Sequence, residues 1–227
     1  MEPVVHLRAA VALLGRFPAL AGFDLDVSRG EIVLLRGPNG AGKTTVLRAC
    51  AGLAPIVRGQ AIVLGCDLRE DRRSVRRRVG LLGHETALYD ELTVADNVAF
   101  WARAAGATVD DAAAAMAALD LDGRLRDVEV AKLSAGQRRR TSFACVLARR
   151  PELWLLDEPH AGLDQSGRDV VDGLIRRAVE AGATVLLSSH ERDRAEALAH
   201  RTVAIAGGTN DRPHDEHLPI EEAALVP

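Results

Sequence analysis

Hydrophobic positions along the chain fall into short runs with two different periods. Strand-length runs recur at 4–7, 22–27, 32–36, 61–64, 79–82, 153–156, 185–188 and 202–206. Those at 32–35, 153–156 and 185–187 are apolar at every position, so both faces are expected to be covered, as in parallel strands flanked by helices. Stretches that read as helices lie at 43–51, 109–119, 135–149, 165–181 and 191–199. The alanine-rich one at 109–119 has Thr108 and Asp111 placed to cap its N-terminus. Over a hundred residues separate the runs at 32–35 and 153–156, and much of that insert, about 84–150, reads as helical. The pattern predicts an α/β core with an inserted helical subdomain.

The periodicity stops after 206. Residues 207–227 hold three prolines and scattered Asp, Glu and His, which predicts a flexible C-terminal tail after a single domain over 1–206. His214 and His217 in that tail have no companion ligands, so they do not make a metal site. With 227 residues, 48% of them hydrophobic, the chain is long enough to bury a substantial core. A net charge of −3 gives no global field toward nucleic acid or anionic membrane, and nucleic acid is not expected as a partner. Arg69, Arg72, Arg73, Arg76, Arg77 and Arg78 form one local cluster, read first as a solvated helix face and second as a contact with a partner or lipid headgroups. Cys50, Cys66 and Cys145 lack metal-ligand spacing and fit reduced thiols. No window reaches the ~18 apolar residues of a membrane span, so any channel must belong to another chain.

Chemistry concentrates at the ends of the fully apolar runs. Gly37-Pro38-Asn39-Gly40-Ala41-Gly42-Lys43-Thr44 joins a strand to a helix, the setting of a phosphate-binding loop. Its glycines let the backbone approach phosphate, and a helix N-terminus offers N–H groups to anionic oxygens. Lys43 is placed to bridge the β- and γ-phosphates of ATP, Thr44 to ligate Mg²⁺, and Thr45 to contact phosphate beside it. Asp157 ends the wholly apolar run at 153–156, so its carboxylate emerges beside this loop as a second Mg²⁺ holder. Asp164 precedes a helix as its N-cap. Ser134 and Gly136 open another helix, a second anion site distant from the glycine loop; it would meet the γ-phosphate bound by a second copy. Capping accounts for Ser134 but leaves Gly136 and Gln137 without a task.

The order glycine loop, Leu133-Ser134-Ala135-Gly136-Gln137, then Leu155-Leu156-Asp157-Glu158-Pro159 resembles the nucleotide-binding subunit of ABC transporters, from about Val4 to Ala206. The resemblance implies a P-loop NTPase (RecA-like) core with an N-terminal antiparallel β subdomain. It casts Glu158 as the general base that polarises the attacking water and His190 as the switch histidine on the γ-phosphate. It makes Asp164 part of the loop that crosses the dimer, and 133–137 the signature that reads the partner copy's ATP. It further implies a head-to-tail pair of copies bound to integral membrane permease subunits, on the cytoplasmic side of the inner membrane.

Two departures narrow the resemblance. Most ABC ATPases carry glutamine where His84 stands, in the loop that couples to the membrane partner. His84, the run Leu88-Tyr89-Asp90-Glu91-Leu92-Thr93 and alanine at 135 occur together in the ATPase of the cytochrome c maturation haem exporter, the CcmA type. Another single-domain exporter ATPase, for a drug, lipid or antibiotic, is the alternative, and a soluble ABC ATPase is a third reading. The family also stacks adenine on an aromatic, for which Phe17 is the nearby candidate, with Leu14 packing as a substitute.

Overall fold

The computed structural model describes residues 2–210. The chain begins as an antiparallel pair, β1 (Val5–Leu14) and β2 (Phe17–Val27). The hydrophobic pattern ends the first strand at 7, but the strand runs on to Leu14. Ala9 adopts a φ of 46° and the register shifts between Leu7 and Ala10. Such a bulge reverses the in–out parity, so buried positions change from 5 and 7 to 10 and 12 and the run no longer alternates. After β3 (Ile32–Arg36) and α1 (Lys43–Cys50), β4 (Ile56–Val63) pairs antiparallel with β1, and the short β5 (Cys66–Asp67) completes a sheet ordered β2-β1-β4-β5.

The arginine run is not one helix face. It spans α2 (Leu68–Asp71), whose four residues end quickly, and a 3₁₀ turn at Ser74–Arg77 before β6 (Val79–Leu82). Arg69 and Arg76 donate to the carbonyls of Gly59 and Gly52, and Arg78 grips Glu152 with two bonds, at 2.6 and 3.0 Å. Arg72, Arg73 and Arg77 stay exposed.

The insert supplies α3 (Val94–Ala105), α4 (Val109–Ala117) and α5 (Ala135–Ala148). Thr108 and Asp111 close a reciprocal capping box on α4, as their spacing predicts. The chain then alternates β7 (Leu153–Asp157), α6 (Gln165–Glu180), β8 (Thr184–Ser188), α7 (Arg192–Leu198) and β9 (Arg201–Ala204). These strands form a parallel sheet ordered β6-β7-β8-β3-β9.

Each core strand faces two cores. Val33, Leu35, Leu153, Leu155 and Leu186 pack toward α1 and the antiparallel sheet, whereas Ile32, Leu34, Trp154, Leu156, Val185 and Leu187 pack toward the helices of the insert and α6. Both faces being covered is why these strands have no polar alternation. At about 1.5–3 kcal/mol for each fully buried leucine-sized side chain, the sheet is a firmly packed floor for the loops that leave its strands. The architecture is an α/β P-loop fold with an antiparallel β subdomain, a parallel core and a helical region.

Residues 207–210, the start of the expected tail, are held rather than loose. Gly208 donates to the carbonyl of Ala41 (3.0 Å) and accepts from Ala21 (2.9 Å), and the Asn210 side chain bonds both main-chain groups of Asp24. Residues 211–227, with His214 and His217, lie outside the described residues. Burial pushes the thiols of Cys50 and Cys145 up to about 12, which keeps them unreactive.

Candidate functional site

Two clefts of similar size lie at loop edges of this fold. The first, about 310 Å³, is lined by residues 39–45 together with His84, Asp157, Glu158 and His190. The topology explains the gathering. β3, β7 and β8 are neighbours in the parallel sheet, so the loops leaving their C-terminal ends converge on one side. α1 starts at Gly42, which has a φ of 112° and lies where a Cβ would meet the carbonyl of Ala19 at 2.7 Å. Only glycine fits, and a glycine cap leaves the N–H groups of the first turn without a side-chain acceptor. Lys43 is buried and donates from Nζ to the carbonyls of Gly37 (2.8 Å) and Pro38 (3.0 Å). Gly37 and Pro38 thus hold the lysine rather than line the cleft.

The carboxylates are held at several points. Thr44 Oγ1 donates to Asp157 Oδ2 at 2.7 Å, and Ser188 Oγ to Asp157 Oδ1 at 2.5 Å. Glu158 has a φ of 52°, and its Oε2 accepts from the backbone N–H of His190 at 2.9 Å. Its Oε1 is buried with no hydrogen-bond partner among the described residues, 3.6 Å from His190 Nε2. Thr44 and Asp157 supply hard oxygen donors at the cleft, which fits Mg²⁺. Among the described residues no cluster of three or more His, Cys, Asp and Glu could hold a metal alone.

The second cleft, about 330 Å³, is lined by Ser134, Gly136 and Gln137 at the start of α5 and by the 162–167 loop with Asp164. It shares no lining residue with the first. Gly136 belongs at this wall because a Cβ there would stand 2.9 Å from the carbonyl of Gly162. Asp164 caps α6, accepting from Gly167 N–H at 2.9 Å, and that bond holds its carboxyl below the usual range. Leu133 is buried and Ala135 exposed.

Ser134 corrects one expectation. Its Oγ accepts from Gln137 N–H (3.2 Å) while Gln137 Oε1 accepts from Ser134 N–H (2.9 Å), a closed capping box. Capping therefore accounts for Gln137 as well as for Ser134, and this helix start is not bare.

The structure places Phe17 outside both clefts. It sits at the tip of the β1–β2 hairpin, 79% exposed, and Leu14 and Ala19 line the first cleft instead. Sequence reasoning passed over three buried residues: two touch site residues, and the third lies on the loop that follows Glu158. Ser188 fixes Asp157 as described. Arg139, 5% exposed, donates to the carbonyls of Asp157 and Glu158 (2.5 Å each) and of Gly83 (2.7 Å). Burial lowers its pKa, and the charges of Asp157 and Glu158 oppose that shift. Its signal was present: Arg139, Phe143 and Val146 stand at i, i+4 and i+7, on the buried stripe of α5. His160, 1% exposed, bonds through Nε2 to Asp172 Oδ1 at 2.8 Å; nothing in its local sequence marks it as buried.

A family model described as ABC transporter matches residues 20–161. The cytochrome c biogenesis ATP-binding export protein CcmA of Vibrio cholerae is 38% identical over 170 residues, covering 74% of this chain and 82% of that protein. The Fe(3+) ions import ATP-binding protein FbpC of Streptomyces avermitilis is 39% identical over 210 residues, covering 90% of this chain and 60% of that protein. A solved dimeric ATP-binding cassette in a post-hydrolysis state, bound to ADP and Pi, matches 92% of this chain and 97% of its own with a TM-score of 0.83. At 24% identity that likeness shows the fold.

Proposed function

This chain belongs to the ABC transporter family as an ATP-binding subunit, and from that premise we propose that it hydrolyses ATP between two copies to drive haem export in cytochrome c maturation. The observation that carries the reading is the division of the chemistry between two clefts that share no residue. The first has the phosphate loop, the carboxylates and His190. The second has Ser134, Gly136 and Asp164 and no lysine.

In this reading Lys43 turns from its two carbonyls to the β- and γ-phosphates, and the first-turn N–H groups of α1 receive phosphate oxygens. Thr44 and Asp157 hold Mg²⁺, which when bound neutralises charge on those oxygens. Glu158, fixed by the N–H of His190, takes a proton from the attacking water, a contribution of about 10²–10⁴ in rate. His190 faces the γ-phosphate. Ser134 and Gly136 of the second copy close over it, with Asp164 beside them, and release of the product reopens the pair.

Permease subunits are the expected membrane partners, since no helix among the described residues is long and apolar enough to cross a membrane. The chain would sit on the cytoplasmic side of the inner membrane. The haem assignment rests on His84, Ala135 and the CcmA likeness. The comparable FbpC likeness favours a second reading, in which the same motor serves another cargo.

The test is Glu158→Gln with ATP. Turnover is expected to fall at least about 100-fold while the chain runs as a dimer by light scattering; a monomer with bound ATP would overturn the two-copy mechanism. For the cargo, turnover of the wild-type chain purified with its membrane chain is measured with and without haem. Stimulation supports haem, whereas a response only to other cargo removes it.

A further inference from the structure

We propose that Arg139 is a positioning residue for hydrolysis, holding the backbone of the general base in its strained conformation and tying it to helix α5. This rests on the ATPase reading above. A buried guanidinium normally faces a carboxylate, because desolvating an unpaired cation is costly. Among the described residues Arg139 makes no ion pair, and its Nε has no partner. Its donors go instead to three main-chain oxygens: Asp157, Glu158 and Gly83. Fold stability alone does not ask for a cation here, since methionine fills similar space without the desolvation cost.

Glu158 explains the need. At a φ of 52° it occupies the left-handed region, which costs a non-glycine residue about 1–3 kcal/mol and persists only where neighbours over-determine it. Its N–H donates to the carbonyl of Ser188 at 3.1 Å, and its carbonyl accepts from Arg139 at 2.5 Å and, more weakly, from Ala161 N–H at 3.1 Å. With both main-chain groups held, the carboxylate is aimed at His190. The third bond reaches Gly83, next to His84 in the loop expected to face the membrane partner. All three bonds come from one side chain on α5, whose first turn carries Gly136 and whose cap is Ser134. A small displacement of α5 therefore reaches the general base through one side chain.

The test uses the full chain with Arg139→Met, Arg139→Lys and Arg149→Met. Arg149 is the control: it is the C-cap residue of the same helix, donates to the carbonyl of Arg76 (2.7 Å), has an unpartnered buried Nε and lines neither cleft. Arg139→Met is expected to lower kcat about 10- to 100-fold, the scale of an ångström-sized misplacement, with ATP affinity within about twofold of wild type. Arg139→Lys should recover part of the turnover, and Arg149→Met should keep it within about threefold. Wild-type kcat in Arg139→Met, a parallel loss of ATP affinity, or an equal loss in Arg149→Met would overturn the proposal. If Arg139→Met does not fold, Arg139→Lys decides by the same split: wild-type kcat overturns the proposal, and a selective loss of kcat supports it. Absence of ATP turnover in the wild type would instead remove the ATPase reading, and this inference with it.

Discussion

Helices α1 and α5 both begin at the wall of a cleft, but their first turns are in opposite states. α1 opens from Gly42, with no side-chain cap and no acidic residue in its first turn. α5 opens from Ser134 with its capping box closed by Gln137. An anion at α1 meets free N–H groups. At α5 the Gln137 N–H is already taken by Ser134, a bond worth about 1 kcal/mol, and the N–H groups left for an anion are those of Ala135 and Gly136. Under the ATPase reading the first start would bind unaided, whereas the second would add its remaining donors to an anion already held elsewhere. That asymmetry would suit a site split between two copies, the arrangement proposed above.

The contrast breaks most severely at Lys43. If the first cleft binds unaided, Lys43→Ala should cost about 2–5 kcal/mol of nucleotide affinity, a loss of 30-fold or more by calorimetry. Turnover should fall with it. Retained affinity would mean that the N–H groups of α1 suffice and that the buried lysine serves only its own loop carbonyls.

Much of this first cleft was legible in the chain. The runs at 32–36 and 79–82 match β3 and β6 residue for residue, because strands covered on both faces leave an unbroken apolar signal. Asp157 follows such a run and so had to emerge at the sheet edge. The second cleft was less legible. Ser134 and Gln137 stand three apart, and that spacing serves a capping box as well as a ligand site. Phe17 is a different case: it stands 79% exposed at a hairpin tip and lines neither cleft, whereas Leu14, paired with it across the hairpin, lines the first. β1 was cut short by the bulge at Ala9, since one inserted residue destroys the alternation that marks a strand. His160 stayed hidden because burying an imidazole depends on a partner distant in sequence, in α6; Arg139 showed its burial in the stripe of α5 but not its acceptors at Gly83, Asp157 and Glu158.

A smaller effect sharpens the asymmetry from the other side. Ser134→Arg fills the second cleft without touching the first. Turnover should fall about 100-fold, comparable to removing one preorganised donor, while ATP affinity of the same chain stays near wild type. Unchanged turnover would show that α5 plays no part in the reaction. Parallel loss of affinity would show that the two clefts serve one nucleotide on one chain.

The smallest effect concerns how firmly the clefts are joined. The loop from Glu158 to Asp164 runs from one to the other, and His160 is its buried anchor, facing Asp172, with Glu191 and Arg194 also acting on it. Burial lowers the pKa of His160 below 6.5, and the charge of Asp172 opposes that shift without reversing it. The unfolded chain therefore takes up the proton first as pH falls below about 6.5, and the native state loses stability there; above that pH both states are neutral and His160 contributes no slope. His160→Gln removes this titration. Its Tm should fall less than that of wild type between pH 7.5 and 5.5, by a few degrees at most for a domain of this size. Identical slopes would mean that the loop opens locally, outside the cooperative core, so that the two clefts move independently. A reduced slope places the loop within the core's own transition, and a closure sensed at α5 then has a rigid path to Glu158.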